Sequence, residues 1–221
     1  MANRKSSKKY FFSVEGETEE WYLLWLRDLI NSTEEAAFKV AIDCKIEKDP
    51  LKRAKGLLTT SKTEIYHLSD YESDEEVHVK QFKDTMDRMK SAMGLGKQIT
   101  YKFGYSNFTF DLWIVLHKTD CFGILAHRKN YLPYINRAYG EKFESMDEYK
   151  HEDNFKRCLK QLSLADVIKA VERSEKIMEN NDASGYVLQK YKGFSYYKEN
   201  PSLAVWEAIK KILKDCKLIS Y

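Results

Sequence analysis

The sequence has little of what loosens a chain: nine glycines and three prolines in 221 residues. That scarcity excludes collagenous, linker-rich and low-complexity architectures. Cysteine is sparse too. The four residues at positions 44, 121, 158 and 216 are too widely spaced for a C-x-x-C knuckle or redox pair, and too few for a disulfide scaffold of this length. No apolar run approaches the roughly 20 residues a membrane helix needs. The short apolar stretch after the basic segment Arg4, Lys5, Ser6, Ser7, Lys8, Lys9 is too brief for a signal-peptide core. A soluble, unprocessed protein of the reducing cytoplasm, with no membrane partner, is therefore expected. The basic segment itself could touch phosphates, and a frayed, solvated terminus is its plainer reading. An excess of charge of one sign is also missing: 37 Lys and Arg against 34 Asp and Glu leave +3, so any nucleic-acid surface depends on local segregation of charge. There is no glycine-rich phosphate loop, G-x-S-x-G elbow or H-E-x-x-H helix. His67, His78, His127 and His151 lack an i+4 histidine or a neighbouring cysteine, which removes support for a zinc site.

What is present is a folded composition, 43% hydrophobic, 14% aromatic and 32% charged, in a length suited to one compact domain with a helical extension. Residues 10–14 read as an apolar strand that runs through Glu15-Gly16-Glu17-Thr18 straight into a helix over 19–30. In that helix Trp21, Trp25 and Leu29 recur at i, i+4, i+8, beside Tyr22, Leu26 and Ile30. Phe38 to Ile46 alternates at period two, as a strand near a sheet edge does. A short helix from Pro50, a strand over 64–69, a helix over 74–93 with a core stripe of Phe82, Met86, Met89 and Met93, and a strand over 99–105 follow. Residues 108–117 read as a helix. The alternation predicts an α/β fold, a mainly parallel sheet flanked by helices, over residues 1–118. Beyond 119 the strand signal disappears. Helical patterns at 129–139, 152–161, 164–180 and 201–216 predict a helical C-terminal extension, 119–221, packed on the same core. Ser163 with Asp166 suggests a capping box, and Asn200-Pro201 an N-cap followed by an N1 proline.

Ligands of parallel sheets collect at the strands' carboxyl ends, and Glu15, Asp70, Asn107 and Asp111 all fall just after expected strands. Glu15 stands between strand and helix beside a glycine, whereas Glu17, Glu19 and Glu20 are explained by favourable placement in the first helical turn. Asp70 and Glu72 are two apart, so in an extended segment both carboxylates project to one side and could face a hard cation; a solvated acidic turn is the alternative. With Glu15 they make the pattern of metal-assisted phosphoryl chemistry, in which carboxylates hold the ion and one manages a proton. Asn107 and Asp111 would share a helix face. His117 cannot point inward with Asp111 from one straight helix, and it shares its face with Trp113, as a core histidine would.

Four segments together resemble the RloB-like family: Val14-Glu15-Gly16-Glu17-Thr18-Glu19, Ser69-Asp70-Tyr71-Glu72, the stretch from Ser106-Asn107-Phe108 through Asp111 and Trp113 to His117, and Asn200-Pro201-Ser202. The resemblance spans roughly residues 10–213. It implies a TOPRIM-type domain with a helical C-terminal part, of the kind found in bacterial and archaeal restriction or phage-defence loci, often with an ATPase partner. By that similarity Glu15 corresponds to the glutamate acting as general acid or base, Asp70 to the first metal carboxylate and Glu72 to the second, in place of the usual Asp. Phe108 stands where members have Pro, and Asp111 where they have Glu. The Tyr149-Lys150 pair also looks like a family feature, with Lys150 balancing phosphate charge; an ordinary surface lysine is the other reading.

The expectation is a nuclease dependent on Mg²⁺ or Mn²⁺, the effector of a defence system. Glu15, Asp70 and Glu72 would serve the metal, and Glu15, Asp111, His117 and Lys150 the chemistry. Ser106, Asn107, Lys118, Arg128 and Lys129 would hold substrate. The near-neutral charge favours RNA over duplex DNA. A non-catalytic sensor or scaffold subunit, binding an ATPase or nucleic acid, is the competing class. A hydrolase of free nucleotides or small phosphoesters is a third, and a homo-oligomer fits any of them.

Overall fold

The computed structural model describes residues 5–123, 125 and 127–220. Its main sheet has five strands in the order β2-β1-β3-β4-β7. The four parallel strands are β1 (Ser7–Val14), β2 (Lys39–Ile46), β3 (Thr63–Asp70) and β4 (Ile99–Asn107). Parallel neighbours need crossovers, and these are α1 (Glu17–Ser32), α2 (Pro50–Gly56) and α3 (Glu76–Met93). Asp49 caps α2 by accepting from the N–H groups of Leu51 and Lys52, with Pro50 preset at the first helical position. β2 is the edge strand that its alternation indicated. β1 starts at Ser7 rather than Tyr10, so Lys8 and Lys9 are strand residues, paired with Asp215 at 3.6 Å and Asp43 at 2.8 Å. This part of the basic segment is therefore built into the sheet, while Arg4 lies outside the described residues.

After β4 come α4 (Asp111–Leu116), a 3₁₀ turn (Arg128–Tyr131), α5 (Leu132–Tyr139), α6 (Met146–Tyr149), α7 (Glu152–Leu159) and α8 (Leu164–Ala183). The Ser163–Asp166 capping box is formed. The second part is not free of strands, contrary to the sequence reading. β5 (Gln189–Tyr191) and β6 (Phe194–Tyr196) form a hairpin, and β7 (Ser202–Leu203) pairs antiparallel with Ser106 and Asn107. Pro201 therefore opens no helix; it follows a cis bond into β7, and the last helix, α9 (Val205–Asp215), begins after it. Strands this short contain no period for a pattern to reveal.

Each face of the sheet is covered. One core joins Phe12, Tyr22, Trp113, Tyr149, Phe155, Val171 and Ile209, drawn from the sheet, α1, α4 and the C-terminal helices. The other joins Ile65, Phe103 and Tyr105 to Phe82 and Met86 of α3 and to Phe194 and Tyr196 of the hairpin. The methionine stripe of α3 is core packing, as its spacing indicated. All four cysteines are free. No described helix is long and apolar enough to cross a membrane.

Candidate active site

The parallel register aligns Asp70 with Ser106 and ends β1 at Val14, so the chain's turns out of β1, β3 and β4 meet at one rim. Glu15 is the first residue past β1. Its Oε1 accepts a hydrogen bond from Ser69 Oγ at 2.8 Å and its Oε2 one from the Asp70 N–H at 3.3 Å. The chain then turns through Gly16, in extended conformation, into α1. A Cβ on Gly16 would stand 3.2 Å from Glu19 Oε2, so the Glu19 carboxylate folds back over the turn. Glu19 is 7% exposed and accepts from Thr18 Oγ1 at 3.1 Å.

Asp111 opens α4 and is 1% exposed. Its Oδ2 accepts from Thr109 Oγ1 at 2.9 Å and pairs with Lys150 Nζ at 3.0 Å, while its buried Oδ1 has no partner. Lys150 arrives from the C-terminal end of α6. Burial, then Glu19 and Glu15, push Asp70 well above the ordinary carboxylate range, with Asp111 adding and Lys150 opposing. Burial likewise raises Glu15 and Glu19. For Lys150, burial alone would favour the neutral amine, but Asp111, Asp70 and Glu19 outweigh it and hold the ammonium above its usual pKa. Asp111, Asp70 and Glu19 thus share the Lys150 ammonium, while Lys48 acts on Glu15, and carboxylates outnumber cations at the rim.

Glu19 was missed as a site residue because an acid in a first turn is already explained there. The signal against that explanation is its place on the inward stripe with Tyr22, Leu23, Leu26 and Ile30. Trp21, Trp25 and Leu29 are only half-buried beside it.

Glu72 lines one crevice with Glu15, though not in the geometry expected, and several other expected residues lie elsewhere. β3 ends at Asp70, and Glu72 has φ 61°, so the same-side rule for an extended segment does not reach it. Its carboxylate faces His78 at 3.1 Å and Arg128 at 3.9 Å. Among the described residues no group of three or more His, Cys, Asp or Glu side chains is arranged to hold a metal ion. The donor chemistry around Asp70, only carboxylate oxygens with negative charge in excess and one orphaned oxygen, does suit a hard cation.

His117 lies in the core. Its Nε2 lies 3.1 Å from Tyr22 Oη and its Nδ1 2.8 Å from Trp113 O, and burial pulls its pKa down to about 4. α4 ends at Leu116, which resolves the conflict between Asp111 and His117. Lys118 pairs with Asp166 at 3.2 Å and donates to Gln161 O, tying the end of α4 to α8. Asn107 is the last residue of β4, not a helix-face neighbour of Asp111. Its Nδ2 donates to Lys198 O at 2.6 Å, and its carbonyl accepts from Asn200 Nδ2 at 2.5 Å. Ser106 is buried beside Asp70 in register, with its Oγ unpartnered. Arg128 and Lys129 are exposed on the 3₁₀ turn, with Arg128 at the Glu72 side.

A mainly parallel sheet whose carboxyl rim gathers buried acids around one lysine defines the molecule as an α/β protein with a polar site at a strand-end crevice. The model of the RloB-like protein family matches residues 10–212, and the chain belongs to that family. No curated protein and no solved structure matches it.

Proposed function

We propose that the chain is a divalent-cation-dependent nuclease, hydrolysing phosphodiester bonds of RNA in preference to duplex DNA, as a cytoplasmic effector of phage defence. The observation that supports this reading is the cluster of carboxylates at the strand ends, Asp70, Glu19 and Asp111 around the Lys150 ammonium with Glu15 adjoining Asp70 and Glu19. Buried like charges cost stability, and such clusters concentrate at functional sites. Asp70, with Glu19 beside it, would hold Mg²⁺ or Mn²⁺, with water completing the ion's shell. When bound, such an ion polarises a phosphoryl oxygen and lowers the pKa of a bound water.

The chain's own groups supply the rest. Glu15, fixed by Ser69 and the Asp70 N–H, has a raised pKa suited to taking a proton from water and returning one to the leaving oxygen. Lys150 neutralises Asp111 and offers positive charge to a phosphate. The exposed Arg128 and Lys129 would contact the backbone of a longer substrate. Family resemblance supports an ATPase partner and is compatible with a homo-oligomer. The competing reading, a sensor or scaffold without chemistry, is favoured by the pairing of the Glu72 carboxylate with His78 and Arg128.

The test is cleavage of total tRNA, single-stranded RNA and duplex DNA with Mg²⁺ or Mn²⁺, alone and with any ATPase encoded beside it. Wild type should cut RNA only with the cation, and Glu15→Ala and Asp70→Ala should each lose at least about a hundredfold in rate while remaining folded. Absence of cleavage, together with no change in melting temperature on adding either cation, would favour the sensor.

A further inference from the structure

β4 has a second side that β7 pairs only in part, and Tyr101 at 3% and Phe103 at 9% exposure reach solvent only through a groove there. Thr63 N donates to Gln98 O at 2.9 Å, which in this parallel register turns the backbone of the even-numbered β4 residues towards β3. The odd-numbered residues then point away from β3, and Tyr105 O accordingly accepts from Ala204 N at 2.8 Å. β7 reaches only Ser106 and Asn107. Further back along the strand, the N–H and C=O groups of Tyr101 and Phe103 face outward with no hydrogen-bond partner among the described residues. Unpaired main-chain groups in a strand edge are a template for another strand.

This edge forms one wall of a groove of about 380 Å³, and the Lys192–Ser195 turn of the β5–β6 hairpin forms the other. The groove carries more positive than negative charge. Lys90, Lys102 and Lys192 line it against the single acid Glu207, which Lys102 faces without a close ion pair, and Lys90 has no ion-pair partner among the described residues. Lys192 is held by Asp87 at 3.2 Å. Phe103 and Phe194 give the groove an apolar floor. The site is separate from the carboxylate rim, which lies at the opposite end of β4.

We propose that this groove binds an extended acidic segment of a partner protein, which adds as a strand to β4 at Tyr101 and Phe103. The unpaired amides and carbonyls supply main-chain pairing, and the lysines select acidic side chains pointing from the added strand. A single-stranded nucleic acid would use the lysines too, but it would leave the main-chain ladder unmade; the backbone pattern favours the peptide.

The test uses the full chain and synthetic peptides of about ten residues that alternate Val or Thr with Glu, Gln or Lys, with a short oligouridine as the competing ligand. Binding is read by fluorescence anisotropy, and strand addition by amide hydrogen exchange at Tyr101 and Phe103. The Glu peptide should bind at least about tenfold more tightly than the Gln peptide and slow both amides by a similar factor. Lys102→Glu, an exposed substitution that leaves the fold intact by melting temperature, should reverse the preference towards the Lys peptide. Binding that ignores charge, absence of amide protection by any peptide, or protection by oligouridine instead would overturn the proposal.

Discussion

At Asp70, burial and the carboxylates of Glu19, Glu15 and Asp111 act in one direction, and Lys150 alone acts in the other. A carboxyl whose folded pKa lies above its ordinary value of 3.8 loses stability as pH rises from that value through the raised one, and regains it on acidification. Asp70→Asn removes the charge while keeping the shape. Without divalent cations, the variant should therefore be more stable than wild type at pH 7, by about 1 kcal/mol or about 2–4 °C in Tm, with the difference shrinking towards pH 4. Adding Mg²⁺ or Mn²⁺ should raise the wild-type Tm and leave the variant unchanged. Scanning calorimetry across pH, with and without cation, checks both; a variant less stable than wild type at pH 7 would mean the Asp70 charge is already compensated. Glu15 and Asp70 were legible because each ends a strand, where chain order alone brings distant residues to one rim. Glu19 was hidden behind a sufficient local explanation. The Asp111–Lys150 pair spans a long stretch of helical chain, and only the packed structure sets its 3.0 Å distance.

At the scale of elements, Gly104 shows how tightly β3, β4 and α9 are fitted together. A Cβ there would lie 2.5 Å from Leu68 Cδ2 and 3.6 Å from the Val205 Cα. Leu68 is 2% exposed, so its side chain has little room to withdraw. Gly104→Ala should cost about 1–3 kcal/mol by overpacking. Leu68→Val shortens the obstructing side chain, so the double variant should be less destabilised than the sum of the singles by about 1 kcal/mol. Urea unfolding of the cycle measures that coupling, and strict additivity would show that the strand shifts instead of clashing. The long elements were legible: the α3 stripe of Phe82, Met86 and Met89 follows from burial on one side, and the alternation of β2 puts Val40, Ile42 and Cys44 against the core although Ile46 is exposed. The stretch 108–117 was read as a single helix because its apolar residues are dense throughout. In a segment buried on every side, periodicity cannot locate the boundary, and the helix begins only at Asp111. β5, β6 and β7 are set by pairing partners rather than by their own pattern.

Across the whole molecule, the C-terminal helices complete the core that the sheet begins. Trp113 of α4 and Tyr22 of α1 share one apolar cluster with Tyr149, Phe155, Val171 and Ile209. Polar ties cross the same divide: Tyr139 Oη donates to Ile114 O at 2.8 Å, Arg173 Nη1 to Leu116 O at 2.7 Å, and Ala37 N to Cys216 O at 2.8 Å. Neither α4 and the sheet face beneath α9 nor the inner faces of α8 and α9 would remain covered if the other part opened, so opening one exposes the core of both. The chain should accordingly unfold as one cooperative unit. In native-state hydrogen exchange at low denaturant, the amides of Phe12 and Leu68 in the sheet should exchange with free energies within about 1 kcal/mol of those of Val171 and Ile209 in the helices, all near the global value. Helical amides that exchange several kcal/mol more easily would instead mark 119–221 as a separately opening unit, and the carboxylate cluster, which takes Lys150 from that part, would then be assembled and dismantled with it.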